Sequence, residues 1–219
     1  MKRTAILLAP FLALLLAFYA WHTPLRGPLS EAEVDDFLAK QAEIGGNQWA
    51  DSEAFEAFLR NDDGRPFVMI NLMEFRDAAD YPSGYVSESK DGASADAAYG
   101  RAVLPLLLRR GSYPISQAVR QHTIINSVGP TAGQFDTLAI VRYRSRRDLI
   151  DMITSDAFLA AEVYKWASLE NTLVAPASRA LSVQAIGYVP LLILVVMAGV
   201  IGQAVFSRNR PATPPPDRA

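Results

Sequence analysis

PFVMINLMEF, residues 66–75, is the stretch of this 219-residue chain that says most about its architecture. It is rich in β-forming residues and is apolar except at Asn71 and Glu74, which is typical of a central strand that is buried on both faces. A strand of this kind needs neighbouring strands and a covering layer of helices. The segments on either side are therefore expected to supply them.

Two helices are predicted before this strand. Residues 30–44 begin at Ser30, a residue type that caps helix N-termini, and residues 51–60 carry apolar side chains on one face. Residues 76–93 are polar and contain turn signals, so they predict a long loop after the strand. Loops of that length in a compact domain are often functional.

The rest of the central segment alternates helices with strands. The pattern predicts a helix from Ser94 to Arg110, strands over 113–128 and 136–144, helices over 146–153 and from 156, and a strand over 170–175. Strand, helix, two strands, helix and strand is the ferredoxin-like order. The predicted fold class is therefore α+β, with a ferredoxin-like domain between the two ends of the chain.

Both ends of the chain carry uncharged apolar runs. Residues 5–20 follow Lys2 and Arg3, and residues 186–206 are followed by two arginines. Apolar runs of about 20 residues suit transmembrane helices, and flanking basic residues favour the cytoplasmic side. We therefore predict a bacterial inner-membrane protein with cytoplasmic termini and an extracytoplasmic central domain, with a cleaved signal peptide as the alternative for the first run.

These patterns divide the chain into six parts. They are a transmembrane anchor (1–21), a helical lead-in (22–65), the α+β domain (66–176), a linker (177–185), a transmembrane helix (186–206) and a disordered Pro-rich tail (207–219).

Composition excludes several classes of function. The chain has 21 Lys+Arg against 23 Asp+Glu, a net charge of −2, which argues against a nucleic-acid-binding protein. The absence of cysteine excludes disulfides, thiolate nucleophiles and zinc–cysteine sites. There is no phosphate-binding glycine loop, no HExxH and no nucleophile elbow, and the two histidines have no carboxylates at ligand spacing. No cofactor and no metal are predicted.

Five side chains are candidates for contacting a small molecule, and none is predicted to be catalytic. Asn71 interrupts the apolar strand, so its amide is either satisfied by backbone groups or directed at a ligand. Arg142 belongs to RYRSRR, which suits either an anionic ligand or ion pairs with the acidic surplus. Tyr99, Tyr164 and Trp166 lie on the two long helices, either as core residues or as the lining of a pocket.

Four stretches together resemble a known family. They are PFVMINLMEFRD, AYGRAVLPLLLRRG, FDTLAIVRYRSRRDLIDMITSDAF and SLENTLVAP, within residues 66–176. The family is an uncharacterised domain of unknown function in the dimeric α/β-barrel superfamily, which also contains antibiotic-biosynthesis-type monooxygenases. The resemblance implies a homodimer with two four-stranded sheets packed face to face and a ligand between sheet and helices. Similar members often carry a histidine two residues before the position of Trp166, where this chain has Tyr164, so no acid–base role is transferred.

Two functions are compatible with these observations. In the first, the domain is not an enzyme; it forms a homodimer and binds a small molecule or an envelope partner. In the second, it is a cofactor-independent monooxygenase or isomerase acting on a small apolar or aromatic substrate. A pocket lined by Asn71 and a titratable group would favour the enzyme, whereas the lack of an evident acid–base pair favours the first function.

Overall fold

The computed structural model describes residues 13–14, 16–43, 51–121, 134–178, 196–197 and 199. Its elements are α1 (Glu31–Glu43), α2 (Ser52–Arg60), β1 (Phe67–Phe75), α3 (Gly92–Arg109), β2 (Tyr113–Val119), β3 (Thr137–Tyr143), α4 (Arg146–Ile153), α5 (Asp156–Ser168) and β4 (Leu169–Ala177). A short helical segment, residues 16–22, precedes them. The domain is therefore α+β.

The strands form one antiparallel sheet in the order β2-β3-β1-β4. β1 is an inner strand: Asn71 lies opposite Ala139 of β3 on one side and opposite Val174 of β4 on the other. The prediction that residues 66–75 form a central strand is confirmed, because both of its edges are hydrogen-bonded to neighbours.

One face of the sheet is covered by α3 and α5. The main core comprises Phe67, Val103, Leu106, Leu107, Leu149, Met152, Phe158 and Ala161. Side chains alternate between faces along a strand, so Phe67, Asn71 and Tyr143 all face these helices. A second, smaller core of Val34, Phe37 and Leu59 joins α1 to α2.

The other face of the sheet, here called the open face, carries apolar side chains that belong to neither core. They are Ile70, Leu72, Leu138, Ile140 and Leu173. The first four are half-buried, and Leu173 is 48% exposed.

Capping residues fix where the helices begin. At α1, the Ser30 amide donates to Glu33 Oε2 at 2.9 Å and the Glu33 amide donates to Ser30 Oγ at 3.3 Å, a reciprocal capping box. The predicted start of α3 at Ser94 is wrong, because the helix begins two residues earlier, at Gly92. Asp91 is the cap, and its Oδ1 accepts from the Ser94 amide at 2.8 Å. Ser94 Oγ in return accepts from the Asp91 amide, so the serine is the second member of the box.

Two further predictions differ from the structure at the ends of elements. β2 ends at Val119, and residues 122–128 of the predicted strand lie outside the described residues. α3 ends at Arg109, one residue before its predicted end at Arg110.

The predicted fold of a domain between two transmembrane helices is contradicted, and so are the membrane location and topology that depended on it. Among the described residues, no helix is long and apolar enough to cross a bilayer. In the first apolar run, residues 13–14 and 16–22 are helical within the described part of the chain. Their end packs on the domain, where Trp21 Nε1 donates to the Leu108 carbonyl at 2.6 Å. Residues 186–195, 198 and 200–206 of the second run lie outside the described residues.

Candidate functional site

The five predicted ligand-contacting residues do not come together in the structure. Asn71 lies on the face of β1 that is covered by helices, whereas Arg142 lies on the open face, opposite Val68. Tyr99 is on α3, and Tyr164 and Trp166 are on α5. The contacts of each residue therefore have to be considered separately.

Arg142 holds backbone segments together. Its side chain is almost completely buried, with 2% of its surface exposed. Nη1 donates to the Gly111 carbonyl at 2.9 Å, and Nη2 donates to the His22 carbonyl at 2.8 Å. The guanidinium also lies 5.4 Å from the centre of the Tyr113 ring. These contacts fasten the end of the N-terminal segment to the sheet, and they favour a structural role over ligand binding.

The other arginines of RYRSRR have carboxylate partners. Arg144 pairs with Asp148 at 2.5 Å, and Arg147 pairs with Glu33 at 2.8 Å. The Arg147 guanidinium and the Ser30 amide hold the pKa of Glu33 at about 2. A cleft of about 370 Å³ lies beside Arg144 and Arg147, but both guanidinium groups already face acids. The interpretation of this segment as a source of ion pairs therefore fits the structure better than an anion site.

Tyr164, on α5, packs against two tyrosines of the long loop between β1 and α3. Its ring packs edge-on against those of Tyr81 and Tyr85, with centroids 6.1 Å and 6.0 Å away. The Tyr81 and Tyr85 rings stack on each other at 5.2 Å, and a hydrogen bond with Tyr164 raises the pKa of Tyr85. Tyr164 therefore anchors the loop to α5.

An unexpected lysine occupies the buried side of α5. Phe158, Ala161, Lys165 and Ser168 follow one another at spacings of three, four and three residues, which places them on one face of the helix. The other three are buried in the domain, and Lys165 is half-buried. A position on this stripe normally holds an apolar residue.

The Lys165 ammonium lies between two aromatic rings. Nζ is 4.9 Å from the centre of the Trp166 ring and 5.9 Å from the centre of the Tyr99 ring. Burial lowers the pKa of Lys165, while the nearby Glu162 and Asp96 act in the opposite direction. No carboxylate in the part of the chain that the structure describes lies within 4.0 Å of Nζ. The ammonium is therefore desolvated without a direct ion pair.

The two acids near Lys165 differ in their surroundings. Glu162 Oε1 accepts a hydrogen bond from Trp166 Nε1 at 2.9 Å, which orients the indole ring. Burial raises the pKa of Asp96, and the charge of Lys165 offsets part of that effect. Each acid therefore stabilises the charged form of Lys165 only through an electrostatic attraction at longer range than a direct ion pair.

Two tyrosines complete the lining. Tyr99 and Tyr143 pack against the main core, and burial raises the pKa of each phenol. The Tyr143 ring stacks on Phe67 with centroids 5.2 Å apart. Neither hydroxyl has a hydrogen-bond partner within the described ranges, although each side chain keeps part of its surface accessible. Both rings thus combine a packed position against the core with a partly accessible surface. We call Tyr99, Tyr143, Lys165 and Trp166 the Lys165 recess.

Asn71 lies on the same face of the sheet as Tyr143. Its Nδ2 donates to the Met69 carbonyl at 3.3 Å and to the Ala139 carbonyl at 3.4 Å, both long hydrogen bonds. Of the two interpretations of this amide, satisfaction by backbone carbonyls is the one that fits the structure, with two weak hydrogen bonds.

The sequence prediction found two members of the recess and missed two. Tyr99 and Trp166 were candidates, whereas Lys165 and Tyr143 were not. The signal for Lys165 was its position seven residues after Phe158 and four after Ala161 on a predicted helix. For Tyr143 the signal was its place two residues after Val141 on the face of β3 that packs on the core.

Comparison with known proteins supports the fold and leaves the activity open. No family model matches the chain, and no curated protein matches it. A crystal structure of RPA0582, a protein of unknown function from Rhodopseudomonas palustris, aligns at 27% identity with a TM-score of 0.52, over 61% of this chain and 96% of that one. The crystal structure of methylated RPA0582 aligns at 28% identity with a TM-score of 0.53, over 64% and 98%. The domain is thus similar to a whole protein whose function is not known.

Proposed function

We propose that this domain binds a small aromatic molecule with a hydrogen-bond-accepting oxygen, and that the ligand occupies the Lys165 recess. The observation that carries the proposal is the position of Lys165 on the buried stripe of α5, between two aromatic rings and without an ion pair among the described residues. An ammonium that is partly buried and has no ion pair among the described residues is unfavourable, and groups of this kind are enriched at functional sites.

The chemistry of the lining defines the class of ligand. Tyr99, Tyr143 and Trp166 offer aromatic surfaces, against which another ring packs favourably. The Lys165 ammonium and the two phenols supply donors that lack partners among the described residues, and a carbonyl, amide or phenolic oxygen on the ligand would accept from them. With Glu162 and Asp96 nearby, a neutral acceptor suits the site better than a carboxylate, because a second negative charge would be repelled.

Benzamide is a suitable first probe, since it combines one ring with one amide oxygen. In ¹H–¹⁵N NMR spectra of the full chain, added benzamide should shift the Trp166 indole resonance and the amides around Lys165. A ligand of this size is expected to bind with a Kd of about 1 mM or lower.

Two matched variants locate the binding site. Lys165→Met should abolish the shifts, whereas Lys90→Met removes an exposed lysine of the loop and should leave them unchanged. Shifts that survive in Lys165→Met, or that are confined to Tyr81 and Tyr85, would show that the recess is not the binding site.

We also propose that a second copy of the chain covers the open face of the sheet. Four strands of seven to nine residues make a surface of roughly 19 by 25 Å, or about 500 Å² before side-chain relief is counted. Residues 21 and 22 already cover the corner of this face at Tyr113 and Arg142, so a second copy would bury its apolar centre, an area below the ~800 Å² per partner of standard interfaces. The resemblance to dimeric α/β barrels implies the same face-to-face arrangement.

The oligomeric state tests this part of the proposal. Light scattering of the full chain should give a dimer, and Leu72→Asp on the open face should give a monomer. Val119→Asp, at an exposed position near the end of β2, is the matched control and should remain dimeric. A monomeric wild-type chain, or a Leu72→Asp variant that still dimerises, would contradict it. The monooxygenase or isomerase alternative stays a prediction that this structure does not test.

A further inference from the structure

We infer that Lys165 is an amine nucleophile that forms an imine with an aromatic aldehyde held in the recess. The inference rests on the proposed function, because the aldehyde's ring must occupy the same aromatic lining. It goes further in assigning covalent chemistry to one side chain and a carbonyl class to the ligand.

An amine reacts with a carbonyl only through its unprotonated form, so a nucleophilic lysine needs surroundings that do not hold the proton. Lys165 has such surroundings. It stands on the buried stripe of α5 against two aromatic rings, and none of the described carboxylates is within 4.0 Å of Nζ. Desolvation of the side chain also favours the unprotonated amine, because it lowers the pKa of Lys165.

The titratable groups around Lys165 come from three elements. Tyr99 and Asp96 face it from α3, and Glu162 lies one turn before it on α5. Tyr143 reaches the same region from β3 and influences the ionisation of Tyr99. Burial raises the pKa of both phenols, so they remain protonated donors beside the amine.

The reaction is balanced without any oxidant, reductant or metal. The Nζ lone pair attacks the aldehyde carbon and a C–N bond forms, while the carbonyl oxygen takes the proton that nitrogen loses. The carbinolamine then breaks its C–O bond while the nitrogen lone pair forms the C=N bond, and the remaining N–H proton ends on the departing hydroxyl, which leaves as water. The products are one imine and one water molecule from one amine and one aldehyde.

Two other lysines serve as internal references. Lys40 ends α1 and Lys90 lies in the loop before α3, and both are exposed. Lys90 Nζ donates to the Ser87 carbonyl at 2.5 Å, and neither lysine lies against an aromatic pair in the described part of the chain. They should behave as ordinary surface amines.

Borohydride trapping tests the inference. The full chain is incubated with benzaldehyde at neutral pH, treated with sodium borohydride, and digested for peptide mass mapping. Reduction turns an imine into a stable secondary amine that adds one benzyl group. We expect the modification on Lys165 in severalfold excess over Lys40 and Lys90, and we expect that excess to grow as the pH is lowered.

Controls separate this inference from the proposed function. Excess benzamide should suppress labelling of Lys165 without affecting Lys40 or Lys90, and Lys90→Met should leave Lys165 labelled. If benzamide binds but Lys165 is labelled no more than the exposed lysines, the nucleophile is refuted and the binding function stands. If benzamide does not bind and Lys165 shows no excess labelling, both are refuted.

Discussion

Replacement of Arg142 by methionine should lower the free energy of unfolding by about 3 kcal/mol. A hydrogen bond to a charged group contributes about 1.5–3 kcal/mol when buried. Arg142 donates two such bonds, of which the one to Gly111 is buried and the one to His22 is only partly so. Methionine fills much of the space but cannot donate, and it leaves two carbonyl oxygens without their partner.

Urea unfolding followed by circular dichroism measures this change. With a slope of about 2 kcal/mol/M, a loss of about 3 kcal/mol lowers the midpoint by roughly 1.5 M. Arg101→Met is the matched control, since Arg101 is an exposed residue of α3. The control should stay within about 0.5 kcal/mol of the wild type.

The same experiment decides between the two roles considered for Arg142. If Arg142 has a structural role, Arg142→Met should lose much of its stability and should keep its affinity for benzamide in conditions where the variant is folded. If Arg142→Met unfolds at the wild-type midpoint, the hydrogen bonds to Gly111 and His22 do not contribute as argued. A stable variant that had lost benzamide binding would return Arg142 to the list of ligand-contacting residues.

Three further predictions use other contacts. Gly92→Ala should lower the stability measured by thermal unfolding by about 2 kcal/mol or more, because the new Cβ would lie 2.5 Å from the Ser168 carbonyl oxygen. Gly100→Ala in the same helix places its Cβ in open space and should raise stability by about 0.5–1 kcal/mol. Equal melting temperatures for the two variants would contradict this. Glu33 has a folded pKa of about 2, below its ordinary value of 4.5, so it stabilises the fold above pH 4.5 and that contribution disappears as the pH falls towards 2. Because Glu33 is partly exposed, Glu33→Gln should cost only about 1 kcal/mol at pH 7 and nothing at pH 2, as compared by urea midpoints at the two values. Lys165→Met should leave stability unchanged or raise it by about 1 kcal/mol while abolishing binding, and a marked loss of stability would show that the lysine is a structural residue.

Local sequence patterns were sufficient to predict most of the elements of this fold. Ser30 marked the start of α1, the apolar face of residues 51–60 indicated α2, and the apolar run of β1 indicated an inner strand. The start of α3 was missed because Asp91 and Ser94 are both good capping residues, three positions apart. They form one capping box, and only the backbone geometry shows which of them precedes the helix.

The candidate site was harder to predict because it depends on which side chains of α5 turn towards the core. Leu159, the apolar residue next to Phe158 in α5, is 36% exposed. The buried stripe of α5 instead includes Lys165, a residue type that is usually placed in solvent. The sequence pattern could not show that a charged side chain would take a buried position, since hydrophobicity alone ranks Leu159 above it.

Arg142 and its neighbours present a different difficulty. The arginine-rich segment suited either an anionic ligand or ion pairs with acids, and the partners of its arginines include residues as distant in sequence as His22 and Glu33. Tertiary contacts of this range are not encoded in local spacing. The membrane spans were predicted from apolar runs alone, and this criterion cannot tell a helix that crosses a bilayer from a segment whose end packs on the domain, as Trp21 does.

The strand order also has a consequence for synthesis of the protein on the ribosome. β1 is made first among the strands, but both of its partners follow much later: Phe67 pairs with Tyr143, and Val68 pairs with Ala177. Roughly 100 residues must be translated between β1 and the end of β4, which takes about 5–20 s at typical rates of elongation. Until β3 is complete, roughly 70 residues after β1, this strongly apolar strand has neither neighbour, and it lacks β4 for the whole interval. Nascent chains should therefore depend on holdase chaperones to a degree set by topology and not by the stability of the finished domain.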